Sequence, residues 1–255
     1  MSDCGLPLGT VQVLPVRGVP QVKPGDNLAG LLAAALKPWA REGDVLVVSS
    51  KVVSKAEGRV FPAEERDALI DAETVRTVAT REGPAGRLRI VENRQGFVMA
   101  SAGVDLSNTD PGTALALPVD PDRSARELRA GLKALTGLKL AVVIADTSGR
   151  PWRRGVTDVA IGAAGLEPLL DLRGQPDAGG RLLTSTSVAV ADELAAASEL
   201  VRAKAGNVAA ALIRGLPGVV TDADGPGAAA LRMPPELDLF RQGAAPADNS
   251  APRQP

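Results

Sequence analysis

The segment from Lys139 to Asp146, KLAVVIAD, runs apolar without a break from Leu140 to Ala145 and then stops at a carboxylate. Side chains alternate between the two faces of a strand, so a strand apolar at every position must be covered on both sides. GDVLVVSS, with its β-branched run at Val45 to Val48, and VAAALIRG near residue 210 read as further buried strands. TVQVLPV, Thr10 to Val16, alternates and reads as a strand ending before Gly18.

The cover comes from helices. Asp26 or Asn27 is placed to cap the Ala/Leu-rich segment that follows it. DRSARELRAGLKALTG reads as a helix closed by Gly137 at the position that favours a left-handed residue. LLTSTSVAVADELAAASELVRAK passes from strand into an amphipathic helix. Residues 61–88 are charged, carry few strong apolar positions, and read as helix-rich. FVMASAGVDLSNTDPG reads as a strand running into a turn-forming loop. Strands and helices alternate irregularly and no internal repeat is present, so the expected class is mixed α/β (α+β) with mixed sheets. The 255 residues suffice for a full core. The expected organisation is one domain over 10–242, between a flexible tail at 1–9 and a disordered, Gly/Pro/Ala-rich tail at 243–255.

Several classes of function are disfavoured by composition. A net charge of -1 gives no basic excess for nucleic acid or a membrane surface. The single cysteine, Cys4, allows no disulfide within the chain and no Cys/His zinc site. The start lacks the pattern of a signal peptide, and no apolar run is long enough for a membrane span, so a cytoplasmic protein is expected. Histidine is absent altogether, which removes Ser-His-Asp and Cys-His catalysis. Chemistry must then come from carboxylates, lysines, arginines, hydroxyls, backbone amides or a hard, oxygen-liganded cation such as magnesium or manganese.

Three junctions share one design, an apolar strand followed at once by oxygen-bearing or cationic residues. They are Ser49-Ser50-Lys51 with Lys55, Asp105-Leu106-Ser107-Asn108, and Asp146-Thr147. Strand ends are where such folds hold ligands. Lys51 and Lys55 are four apart and share a side if their segment is helical; the bland alternative is a solvated surface helix. Asp105 and Asn108 can aim a carboxylate and an amide into one pocket, or Asp105 can merely close an Asx-turn. Asp146 suits a cation ligand with Thr147 adding a hydroxyl, while Arg150, Arg153 and Arg154 suit phosphate or carboxylate oxygens. The alternative there is a capped strand end, a solvated arginine face and Trp152 as a packing anchor. No phosphate-binding P-loop motif and no GxSxG elbow occurs. The inventory fits phosphoryl transfer, in which positioning and charge neutralisation carry most of the catalysis.

Taken together, LPVRGVPQVKPGD, GDVLVVSSKVVSKAEGR, AGVDLSN, VVIADTSGRPWRRGVTDVAIGAAG and VAVADELAAASELV resemble the coenzyme F420-0:L-glutamate ligase family, in order and spacing, from about Val11 to Gly215. The likeness is to the ligase domain that actinobacterial relatives join to a nitroreductase-like flavin domain; this chain ends at LDLFRQGAAPADNSAPRQP without one, and reads as stand-alone or as one part of a fusion. The resemblance implies the F420 gamma-glutamyl ligase-like fold and an intertwined homodimer. It implies a GTP-dependent enzyme of coenzyme F420 biosynthesis that adds L-glutamate, γ-linked, to the lactyl-phosphate side chain of coenzyme F420-0 through an acyl phosphate. GTP would meet Val19, Pro20, Gln21, Val22, Ser50, Lys51, Lys55 and Asn108. Asp105 and Asp146 would hold Mg2+ or Mn2+, with Thr147 near a second ion and K+ as a further candidate. Lys55, Asp146 and Arg150 are the expected catalytic residues; Arg150, Arg153 and Arg154 are assigned to the anionic substrates from their charge alone. One departure is that the loop after the last long helix, RAKAGNV, has no acid and fewer glycines than the family's. It motivates a second reading, a nucleotide- or deazaflavin-binding homologue without turnover. A third is the same chemistry on another carboxylate acceptor or with another amino acid.

Overall fold

A computed structural model describes residues 9–83, 86–107, 109–203, 206 and 208–241. The tails expected at 1–9 and 243–255 lie outside those residues, apart from Gly9. The strands are β1 (Gln12–Val16), β2 (Val45–Ser49), β3 (Val60–Pro62), β4 (Thr74–Gly83), β5 (Gly86–Asn93), β6 (Val98–Ala100), β7 (Thr113–Leu115), β8 (Ala141–Gly149), β9 (Val156–Ala164), β10 (Leu170–Asp171), β11 (Ser187–Val188) and β12 (Ala210–Arg214). The helices are α1 (Leu28–Leu36), α2 (Ser50–Ala56), α3 (Arg66–Glu73), α4 (Pro121–Thr136) and α5 (Val190–Arg202).

The main sheet has the order β1-β12-β2-β8-β9, with β2 and β8 parallel and the other pairs antiparallel. Its centre is covered on both faces, as KLAVVIAD requires. Val142 and Ile144 join Leu32, Leu36, Leu128 and Leu132 of α1 and α4. Ala141, Val143 and Ala145 turn the other way, onto Val190, Ala191, Leu194 and Ala195 of α5. Fully burying a Val, Leu or Ile side chain contributes about 1.5–3 kcal/mol, so these two apolar layers dominate the fold's stability.

Local signals set the helix ends. Asn27 caps α1 by accepting a 3.0 Å bond from the Gly30 amide. Asp120 caps α4 through the Arg123 amide, and Gly137 closes it in the left-handed conformation at φ 74°.

A smaller unit of structure packs beside the sheet. β4, β5 and β6 form a three-stranded antiparallel sheet, β3 pairs with β7, and Leu69 and Ile70 of α3 pack with Val91, Val104 and Ala114. Here the helix-rich reading of 61–88 is corrected. Among its described residues only 66–73 is α-helical, after a 3-10 turn at 63–65; Thr74 to Gly83 is a strand of a long hairpin. Thr74, Val75, Thr77, Val78 and Thr80 are β-branched and favour extended backbone, and this local preference prevails where few apolar positions mark a period.

Candidate functional site

The parallel pair β2 and β8 ends at one level, with Ser49 beside Ala145. Both chains then change character, β2 turning directly into α2 and β8 continuing past Asp146 to Gly149. Ser50, the first residue of α2, donates a 2.6 Å bond from Oγ to Asp146 Oδ1. Alternation turns the next residue, Thr147, to the α5 side, where its Oγ1 donates to Asp158 Oδ1 at 2.8 Å. Thr147 and Asp158 are direct cross-strand partners on β8 and β9.

Around these residues lies a cleft of about 130 Å³. It is lined by Val19, Pro20, Gln21 and Val22, by Lys51 and Lys55 of α2, by Asp146 and Thr147 of β8 with Asp158 of β9, and by Glu199 and Arg202 of α5. The four-residue spacing of Lys51 and Lys55 on a helix therefore does bring both to one place.

Asp105 joins the cluster through Lys51, whose Nζ lies 2.6 Å from Asp105 Oδ2. The same ammonium donates to the backbone oxygen of Ser107 at 2.8 Å and to its hydroxyl at 2.7 Å. The Ser107 amide donates to Asp105 Oδ1 at 2.7 Å, so the Asx-turn and the functional placement coexist in one residue. The turn before it holds Ser101, Ala102 and Gly103 at φ 52°, 55° and 79°. The first two are side-chain-bearing residues in the left-handed region, at a cost of about 1–2 kcal/mol each.

The two carboxylates sit in opposite electrostatic conditions. Burial pushes Asp146 up to about 6; the charges of Asp158 and Asp105 add to this, while the Ser50 hydrogen bond and Lys51 oppose it. Asp105 is held below the usual range. Burial, the largest single influence, pushes it up, but the Lys51 and Ser107 hydrogen bonds and the Lys51 charge together outweigh it. The charge of Asp105 adds to the rise at Asp146, which puts the two carboxylates in one neighbourhood.

An excess of carboxylate that raises a member's pKa is what a hard cation relieves. Among the described residues no group of three or more Asp, Glu, Cys or His is arranged to hold a metal. Two carboxylates fit an ion that takes its remaining ligands from phosphate oxygens and water, as Mg2+ or Mn2+ does with nucleotides.

Other expected residues stand apart. Arg150, Arg153 and Arg154 lie on the exposed tip between β8 and β9 and line no part of the cleft. Trp152 is 79% exposed, and its ring lies 4.8 Å from that of Phe240. Asn108 lies outside the described residues. Three charged residues of the cleft escaped the reading of the sequence: Asp158, Glu199 and Arg202. Arg202 Nη2 pairs with Asp158 Oδ2 and lies 3.2 Å from Glu199 Oε2.

Among the described residues no helix is long and apolar enough to cross a membrane. Fold and cleft together define a mixed α/β protein with a small polar cleft, lined by lysines and carboxylates, at the end of a parallel strand pair. The family model described as F420-0:Gamma-glutamyl ligase matches residues 18–215. The chain is 42% identical to the coenzyme F420:L-glutamate ligase of Methanothermobacter thermautotrophicus, over 91% of this chain and 99% of that protein. The ligase of the same name from Methanopyrus kandleri is 43% identical, over 93% and 99%. That from Haloarcula marismortui is 35% identical, over 91% and 96%. The chain belongs to the F420-0:gamma-glutamyl ligase family, and it is a ligase.

Proposed function

We propose that the protein adds L-glutamate, by a γ-linked amide bond, to the lactyl-phosphate side chain of coenzyme F420-0 in the cytoplasm, and that GTP drives the reaction. The relatives named coenzyme F420:L-glutamate ligase support the activity. The observation that carries the nucleotide part is the convergence of Lys51 and Lys55 from α2 with Asp146 from β8 in one cleft beside 19–22. In this reading Lys51, Lys55, Ser50, Val19, Pro20, Gln21, Val22 and Asn108 receive GTP.

A carboxylate of the acceptor attacks the γ-phosphorus of GTP, the bond to the β-phosphate oxygen breaks, and GDP leaves with that electron pair. The resulting acyl phosphate is attacked by the amine of glutamate. An amide forms, inorganic phosphate departs, and the amine loses a proton to solvent. Lys55 lies against the transferring phosphoryl group and offsets its charge, a contribution of positioning and electrostatics. Lys51 leaves Asp105 for phosphate oxygens. Asp105 and Asp146 would hold Mg2+ or Mn2+, which supplies charge neutralisation across the phosphate chain. K+ is a further candidate cation. Arg150, Arg153 and Arg154, at the exposed tip, are assigned to the anionic acceptor and glutamate as these approach. The functional unit in this reading is a homodimer.

The test incubates pure protein with GTP, Mn2+, L-glutamate and coenzyme F420-0 and weighs the products. Glutamylated coenzyme with stoichiometric GDP and phosphate is expected. GTP bound without product would favour the binding homologue, a reading motivated by the loop RAKAGNV with no acid. Product only with another acceptor or amino acid would favour the third reading.

A further inference from the structure

Asp158 is a carboxylate 3% exposed that lines the cleft, and both of its oxygens are engaged. Oδ1 accepts from the Thr147 hydroxyl, and Oδ2 is paired with the guanidinium of Arg202. Arg202 is itself 5% exposed, at the last position of α5. Its Nε donates to Ser198 Oγ at 3.2 Å, and Ser198 in turn donates to the Ala195 oxygen at 2.7 Å. The guanidinium is thus fixed from behind by its own helix and faces Asp158 and Glu199 in front.

A pair whose only task was to join α5 to β9 would be superfluous here. Ala191, Leu194 and Ala195 already pack α5 onto Ala160 and Ala163 of β9. The charge balance points elsewhere. Asp158 and Glu199 bring two negative charges to the cleft, and Arg202 answers them with one positive charge. The segment 203–209 that follows adds no acid to the sequence. A divalent ion at Thr147 and Asp158 would have to displace the guanidinium or sit against it, without any further carboxylate from that segment to offset the repulsion.

We propose that Arg202 is the fixed cation of this site: it holds Asp158, and through it Thr147, so that the cleft takes one divalent ion, at Asp105 and Asp146, and none at Thr147. This departs from the expectation of a second ion near Thr147. Its ion count rests on the proposed metal reading of Asp105 and Asp146, whereas its geometry does not. Arg202 is a positioning residue here, since it acts on the nucleotide side of the cleft through Asp158 and Thr147.

The test counts Mn2+ bound per chain, by electron paramagnetic resonance, in the full-length protein saturated with a non-hydrolysable GTP analogue. The unaltered protein binds one ion. Arg202→Met removes the charge while keeping a long side chain, leaves a buried carboxylate uncompensated, and gains a second ion. Arg202→Met combined with Asp158→Asn returns to one. Two ions in the unaltered protein overturn the inference, as does an unchanged count in Arg202→Met or a second ion that survives Asp158→Asn. Should Arg202→Met not fold, Arg202→Gln takes its place with the same expectations. An unaltered protein with no ion, and one ion in Arg202→Met, would sink the Asp105–Asp146 reading while upholding the role of Arg202.

Discussion

Ser50 and Asp146, ninety-six residues apart, are joined by a 2.6 Å hydrogen bond that ties the start of α2 to the strand end of β8. The bond closes the cleft at the point where the parallel strands finish. It also sets the conditions under which Asp146 carries its charge, because the carboxylate is buried beside Asp158 and Asp105.

Asp146 therefore works against the stability of the metal-free fold. Its carboxyl is raised from 3.8 to about 6, so the proton it holds stabilises the folded state. That contribution is full below pH 3.8 and is lost as pH rises through 6. Asp146→Asn is expected to be more stable than the unaltered protein at pH 8 by about 1–3 kcal/mol, at about 1.4 kcal/mol per pKa unit. The advantage shrinks toward pH 4, and the proposed reading predicts that turnover is lost at every pH. Urea unfolding in the presence of a chelator, at both pH values, reads the difference; a variant less stable at pH 8 would contradict it.

Lys51 pairs with Asp105, so in the proposed reading it competes with the metal ion for that carboxylate. Lys51→Met is expected to tighten Mn2+ binding several-fold in the absence of nucleotide and to weaken GTP binding about tenfold, roughly 1.4 kcal/mol. The pair is partly exposed, so global stability moves by no more than about 1 kcal/mol. Calorimetric titration of each ligand separately checks both directions, and changes of the same sign for the two ligands would count against the competition.

Gly162 has no room for a side chain. A Cβ there would lie 2.3 Å from the Pro121 carbonyl oxygen, where β9 meets the first turn of α4. Gly162→Ala is expected to destabilise by about 2–4 kcal/mol. Gly149→Ala, at a position with open space around it, stays within about 0.5 kcal/mol. Thermal melts of the two variants side by side decide the point.

Arg150 stands outside the cleft, so its proposed part in binding the acceptor is separable from GTP binding. Arg150→Ala is expected to leave the KM for GTP unchanged and to raise the KM for the acceptor by about threefold to tenfold. Steady-state kinetics with each substrate varied in turn distinguishes the two, and a raised KM for GTP alone would reassign the residue.

Much of this was legible in the chain. The strands at Val45 and Ala141, the cap at Asn27, the stop at Gly137 and the gathering of Ser50, Lys51, Lys55 and Asp146 follow from apolar runs, capping chemistry and helical spacing. The arginines after Asp146 do not line the cleft, because proximity in sequence is not proximity along an extended strand. β8 continues to Gly149, and at about 3.3 Å per residue it carries Arg150 roughly 13 Å beyond Asp146. Asp158 was hidden because its partnership with Thr147 depends on the register of the β8–β9 hairpin, which no local pattern fixes. Arg202 did leave a signal. Val190, Ala191, Leu194, Ala195 and Ser198 are the buried face of α5, and Arg202 continues that face four residues on, where a charge demands a partner. The β4–β5 hairpin was missed because the charged residues around the β-branched run TVRTVAT resemble a polar helix when no apolar period arbitrates.

The central claim is that Asp105 and Asp146, brought together from separate elements, share one hard cation that steadies GTP. Mn2+ affinity in the presence of a non-hydrolysable GTP analogue, measured for Asp105→Asn, Asp146→Asn and the double variant, tests it most directly. The account predicts that each single variant loses at least about tenfold in affinity, about 1.4 kcal/mol, and that the double variant loses less than the sum. Unchanged affinity in Asp105→Asn, or losses that simply add, would contradict it.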